Sequence, residues 1–296
     1  MEDRGAFPSL ARALGALAGL YVGINGLSLF LNVLLQRLSA RGIIVSPAFS
    51  YAASGAVELV CVGLPAVLWS RRGERRAAGA VRRDALGPEE AALIVLAALT
   101  WIPVMNVLSA MWCALLDTAG ISYSQGMTVP EGALEMAACL LATAVIAPVC
   151  EEEFFRGRFF AALETLGTRK AVAISTLFFA TLHGQIGALP VHLCVGLMLA
   201  LLLVRRRSIY APMLFHACYN GALVLLSVLP ARVFEGLAPG MAVAAIVFPF
   251  ALFFALRPCA RMYILPEGRP MRGSERKLMA LLAVAFAIPY VLSMMK

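Results

Sequence analysis

Glu151, Glu152, Glu153 and Arg156 stand together at the end of an apolar run that begins near Ala133. An ionised side chain inside a bilayer costs a few kcal/mol or more, so such groups usually face a protein interior and carry function. Glu152 and Arg156 are four apart. On a helix this puts them on one face with the acid N-terminal to the base, the better orientation for a pair. Glu151 lies about 100° round the same helix. It lacks that partner and is free to act as a base. The plainer alternative is that the triplet is the solvated cytosolic end of a membrane helix.

Two further sets of polar residues lie downstream. Leu177 to Gly184 reads LFFATLHG and carries His183 inside an apolar run, and Ala211 to Asn220 reads APMLFHACYN and carries His216 and Asn220. His216 and Asn220 share a helix face. Both side chains can donate hydrogen bonds, and together they suit an oxyanion or a carbonyl. A lone intramembrane histidine more often joins two helices than catalyses. Three separate spans offering polar groups at similar depth need another account. At 1.5 Å per residue, His216 is roughly 12 Å and His183 roughly 18 Å below the cytosolic face. A kink at Pro148 would reseat Glu151 toward them.

The elements that must position these groups are membrane helices. Of 296 residues, 61% are hydrophobic and 14% charged, and mean hydropathy is +0.85. Soluble domains are about 45–50% apolar and about 25% charged. The expected fold is all-α: one integral-membrane domain over 1–296, a polytopic bundle of eight or nine transmembrane helices. The nine candidate spans are about 10–35, 46–70, 91–116, 132–150, 171–189, 190–204, 208–229, 238–256 and 278–295. The short sixth begins at Pro190 and pairs with the fifth as a tight hairpin, unless one of the two is re-entrant. The seventh opens on Ser208 as N-cap, with Pro212 in its first turn.

With the N-terminus cytosolic, 21 Lys and Arg residues fall inside and four, Arg37, Arg41, Arg232 and Lys296, fall outside. This asymmetry sets the orientation and puts the C-terminus outside. The net charge of +8 is spread over short clusters between apolar runs, so its partner is anionic lipid rather than nucleic acid. The segment 71–90 reads as a cytosolic linker, with room for an interfacial helical piece. The seven cysteines contain no CxxC and read as small buried apolar residues, with no disulfide framework. The long first apolar run reads as a membrane helix and not as a signal peptide.

Glu151-Glu152-x-x-x-Arg156 with Gly157, then Phe179-x-x-x-His183, then His216-x-x-x-Asn220, resembles the CPBP family. These are the type II CAAX-protease and bacteriocin-processing (ABI) glutamic intramembrane endopeptidases. Ala147-Pro148, Phe155 and Ser208 to Pro212 match as flanks. The resemblance covers about 131–225, the expected catalytic core. It implies a proteolytic site with no metal and no cofactor. By that resemblance Glu151 activates water with His183 assisting, His216 and Asn220 hold the oxyanion, and Glu152 and Arg156 shape the site, with Glu152 counted among the catalytic residues and placed to contact substrate or water. The implied partners are a membrane-anchored protein or peptide substrate and the bilayer. Ala, Leu, Arg and Gly bias points to a bacterial cytoplasmic membrane.

Three other readings stay open. A zinc protease needs ligand spacing such as HExxH, which is missing. A proton-coupled transporter is favoured by paired broken helices in matching halves, and no such repeat occurs. A non-proteolytic binding or immunity factor of the same fold keeps the motifs but not the turnover. Glu153 receives no role. Glu58 reads as structural in preference to cavity-lining. His192 reads as lying near the outer face, away from the site. Asn25, Asn32 and Asn106 read as interhelical contacts. Reporter fusions after Lys170 and Arg207 are expected to be cytosolic, and a fusion after Arg232 external. An external signal after Arg207 would mean that the sixth segment does not cross.

Overall fold

The structure, a computed structural model, describes residues 10–70, 83–123, 129–256 and 268–294. Most of the 71–90 linker, with its expected interfacial piece, lies outside them, as do 124–128 and 257–267. The described residues form an all-α bundle. Each of the nine apolar segments becomes a helix: α1 (Leu10–Ala40), α2 (Pro47–Trp69), α3 (Pro88–Thr118), α4 (Ala133–Leu166), α5 (Thr168–Leu182), α6 (Leu189–Arg206), α7 (Tyr210–Ser227), α8 (Ala231–Leu256) and α9 (Gly273–Met294). Helices α1 to α4 and the segment Ile186–Arg206 are long and apolar enough to cross a membrane. The protein is an integral membrane protein. Apolar side chains such as Val22, Leu29, Met111, Leu134 and Ile246 cover its outside, as a lipid-facing surface requires.

Two expected boundaries are corrected. The helix carrying the acids does not stop near Cys150. It runs on to Leu166, so Glu151 and Glu152 sit mid-helix and not at a solvated end. The physical reason is pairing: Glu152 and Arg156 neutralise each other inside the bundle. In the other direction, α5 ends at Leu182, seven residues earlier than expected. Gly184 takes φ +63°, a left-handed conformation that glycine adopts without steric cost, and it turns the chain out of the helix. His183 therefore caps α5 and does not lie within it. Fifteen residues at 1.5 Å make α5 about 22 Å long, short of a hydrocarbon core of about 30 Å. Helix α7 starts two residues later than expected. Its N-cap is Ile209 and not the expected Ser208; the Ser208 hydroxyl accepts the Tyr210 N–H at 3.3 Å and donates to Asp84 O at 2.9 Å, which ties the start of the helix to the preceding segment. The six described cysteines are unbridged.

Close packing of α2 on α4 brings the acidic helix into the bundle. Gly55 meets Ala142, and a Cβ at Gly63 would lie 2.7 Å from Cys150 Sγ. Small residues at such crossings let backbones approach in lipid, where no hydrophobic force drives helices together. Helix α2 holds a π-helical turn at Leu59–Gly63, and α4 holds two, at Leu141–Ile146 and Phe155–Phe159. Such turns shift the register of side chains and cluster at functional sites. Gly63→Ala is expected to cost about 1–3 kcal/mol by overpacking, read as a lower thermal midpoint in detergent. A Cys150→Ala background should recover most of that loss. An equal loss in both backgrounds would show that this contact does not set the α2–α4 spacing.

Candidate active site

The site is built on α4. Glu152 is fully buried, and its Oε1 accepts two bonds, from Arg156 Nη1 at 3.2 Å and from His216 Nδ1 at 3.1 Å. Arg156 is also fully buried. Its Nη2 donates to Gly196 O on α6 at 3.1 Å, and its guanidinium carbon lies 4.3 Å from the Phe179 ring centroid on α5. One side chain of α4 thus binds α5 and α6, and its carboxylate partner binds α7. A Cβ at Gly196 would come within 2.9 Å of Phe179 Cδ1, so only glycine lets α6 approach close enough for its carbonyl to reach the guanidinium.

Glu151 is placed differently. It is 7% exposed and lines a cavity of about 910 Å³ together with His183, His216 and Asn220. Its Oε2 lies 4.0 Å from His216 Nε2 and makes no hydrogen bond. His183 Nδ1 sits 2.9 Å from Phe179 O. A carbonyl only accepts, so Nδ1 carries the proton and the neutral ring turns its Nε2 lone pair away from that bond. The same holds for neutral His216, whose Nδ1 donates to Glu152. Phe179 packs edge-on against both imidazoles, at 5.1 Å from His183 and 5.8 Å from His216.

Asn220 is held by a consequence of proline. In the π-helical turn, Ala147 N–H bonds five residues back to Ala142 O. Pro148 in that register would reach Thr143 O but has no N–H to give. The freed carbonyl takes Asn220 Nδ2 at 3.0 Å. This fixes the amide on α7 against α4 and leaves its second N–H for another acceptor.

All six residues singled out in the sequence therefore converge: Glu151, Glu152, Arg156, His183, His216 and Asn220. Glu152 differs in detail from the expectation. Its Oε1 is taken by Arg156 and His216, so it orients rather than faces the cavity. His192 is a correction. It does not lie on the far side, but stacks on His183 with centroids 4.0 Å apart at 23° and lines the cavity. The early end of α5 folds α6 back against it, which a fifth span reaching residue 189 would have prevented. Its being one of only three histidines was the available signal. Glu58 also lines the cavity, and its Oε2 has no partner. Glu153 points elsewhere and pairs with Arg83 at 2.6 Å. Among the described residues, no group of three His, Cys, Asp or Glu side chains is arranged to hold a metal ion.

A buried acid–base cluster inside a helical membrane bundle defines the class: an integral membrane protein with a cavity between helices that acidic, imidazole and amide side chains line. Within that class, residues 133–222 match the family model described as Type II CAAX prenyl endopeptidase Rce1-like. The matched segment runs from the start of α4 into α7 and includes all six residues. It leaves out α1 to α3, α8 and α9. No curated protein and no solved structure matches the chain.

Removing one member of a buried ion pair strands the other. Arg156→Ala is expected to destabilise the protein by about 3–5 kcal/mol, seen as a marked fall in thermal midpoint in detergent. Replacing Arg156 and Glu152 together with methionine should recover part of the loss. An unchanged midpoint for Arg156→Ala would contradict a central packing role.

Proposed function

We propose that this chain is an intramembrane endopeptidase that hydrolyses a peptide bond of a membrane-associated protein or peptide with water activated by Glu151. The observation that carries this reading is the contrast between adjacent carboxylates. Glu152 is held through Oε1 by Arg156 and His216 and does not line the cavity, while Glu151 lines it with an unbonded Oε2 4.0 Å from an imidazole nitrogen. A water within hydrogen-bond reach of both atoms gives one proton to Glu151 as its oxygen attacks the substrate carbonyl carbon. The oxyanion is met by the second N–H of Asn220. His216 adds a donor there when protonated, giving Nδ1–H to Glu152 and Nε2–H to the oxyanion. His183 accepts from the water or the leaving group through Nε2. Glu151 then returns its proton to the departing amine as the C–N bond breaks. Arg156 touches no reacting atom and positions Glu152. The family match over 133–222 supports a CAAX-type protease class. Placement in a bacterial cytoplasmic membrane with a cytosolic N-terminus belongs to the same proposal.

Cleavage of membrane-anchored peptides by protein in lipid nanodiscs tests it. Glu151→Gln should lower turnover by about 10²–10⁴, and Asn220→Ala by about 10²–10³, with both variants folded by thermal midpoint. Combining two changes should cost less than the product of the single effects, because the residues act as a unit. Strong chelators should leave the wild-type rate unchanged, and loss of rate restored by zinc would favour a metalloprotease. Full cleavage by Glu151→Gln would sink the glutamate mechanism. Specific peptide binding without any cleavage would favour the binding-factor reading.

A further inference from the structure

Helix α2 lies outside the matched segment, yet it brings a second acid to the cavity. Ser54 and Glu58, four residues apart on one face, both line it. Glu58 Oε2 is buried and has no hydrogen-bond partner, and the same is true of Glu151 Oε2, which serves the same space. Close packing brings the two acids together. Gly63 ends the π-helical turn that follows Glu58, and it meets Cys150, the residue before Glu151. Among the described residues, no Lys or Arg lines the cavity. Arg156 is turned away to Glu152 and Gly196 O. The other titratable groups around Glu58 are Cys61 on its own helix and Cys150 on α4, with His183, His192 and His216 elsewhere on the cavity wall. Helices α1 and α3 offer the cavity only side chains that do not titrate.

Two carboxylates are not stable as anions in such a place. Burial disfavours each charge, and each charge disfavours the other. An anionic Glu58 would act on Glu151 more strongly than Glu152 or Arg156 does. The stable arrangement is one proton for the two acids. The proposed reaction says which of them must be charged: Glu151, because it takes a proton from water. We infer that Glu58 is a positioning residue that stays neutral and gives its O–H toward Glu151, directly or through one cavity water, so that Glu151 is held as the carboxylate. A hydrogen bond donated to a carboxylate favours its charged form. The two acids then carry one negative charge between them, and this charge passes to the oxyanion when Glu151 takes the proton. A charged Glu58 would repel the oxyanion as it forms, and a neutral one does not. Glu58 keeps its own proton and touches no reacting atom. This inference rests on the endopeptidase reading and adds to its site a residue from outside the matched segment.

The test uses full-length protein in lipid nanodiscs. Infrared difference spectra at neutral pH should show that Glu58→Gln has lost the carbonyl band of a protonated, buried carboxyl. A band that survives in Glu58→Gln puts the proton on another acid and overturns the inference. Cleavage of membrane-anchored peptides is then followed against pH. Glu58→Leu removes the donor and so disfavours charged Glu151. The acid limb of kcat/KM should therefore move to higher pH by about one unit or more, the scale of one hydrogen bond to a charged group, with kcat/KM about tenfold lower on that limb. Glu58→Gln keeps a donor N–H and should recover most of the shift. A merely structural Glu58 would lower the thermal midpoint or the whole profile and leave the limb in place. A limb that stays in place in Glu58→Leu, or moves as far in Glu58→Gln, overturns the inference. If Glu58→Leu does not fold, the band in Glu58→Gln decides. If wild type cuts no peptide, the endopeptidase reading fails, and infrared titration of Glu151 reads the same contrast between Glu58→Leu and Glu58→Gln without turnover.

Discussion

The ion pair between Glu152 and Arg156 is the constraint on which the rest of the bundle depends. Two fully buried charges in a membrane protein stay there only when they are paired and further contacts offset their lost hydration. Here the partners come from three other helices: the Gly196 carbonyl on α6, the Phe179 ring on α5 and the His216 imidazole on α7. Meeting the electrostatic needs of α4 therefore fixes the positions of α5, α6 and α7 round it. It also explains why two acids one residue apart behave differently. One is consumed in holding the bundle together, and the other is left facing a cavity.

Backbone irregularity does similar work. Three π-helical turns lie beside Glu58, before Pro148 and across Arg156. Each departs from the usual bonding pattern in a setting where an unsatisfied carbonyl is costly. At Pro148 the freed Thr143 carbonyl is repaired by Asn220, so a local defect in α4 becomes a tether for α7.

Helices beyond the matched segment complete the arrangement. On α9, the Tyr290 hydroxyl lies 3.1 Å from Ala180 O and 3.4 Å from Thr181 O, bracing the end of α5 from which His183 projects. On α3, Trp112 Nε1 donates to Ile186 O at 2.7 Å, holding the turn that folds α6 back. Tyr21 on α1 stacks on Phe286 and donates to Ala285 O at 2.9 Å, which anchors α9 in its turn. The His183 end of the site is thus set by contacts spread over most of the chain.

Relations within one helix were legible from the sequence. The apolar runs marked the nine helices of the described residues, and four-residue spacings put Glu152 with Arg156 and His216 with Asn220, because helix geometry is local. What only the tertiary structure decided depended on partners far along the chain. Helix α4 passes through its charges and does not end at them, because His216 lies 64 residues away and Gly196 lies 40 residues away. His192 belongs to the cavity because Gly184 ends α5 early and the chain doubles back. Glu58 faces the same space because Gly63 admits Cys150. No spacing in the sequence encodes these distances, since each is set by how closely two helices pack and by which buried polar group must be satisfied.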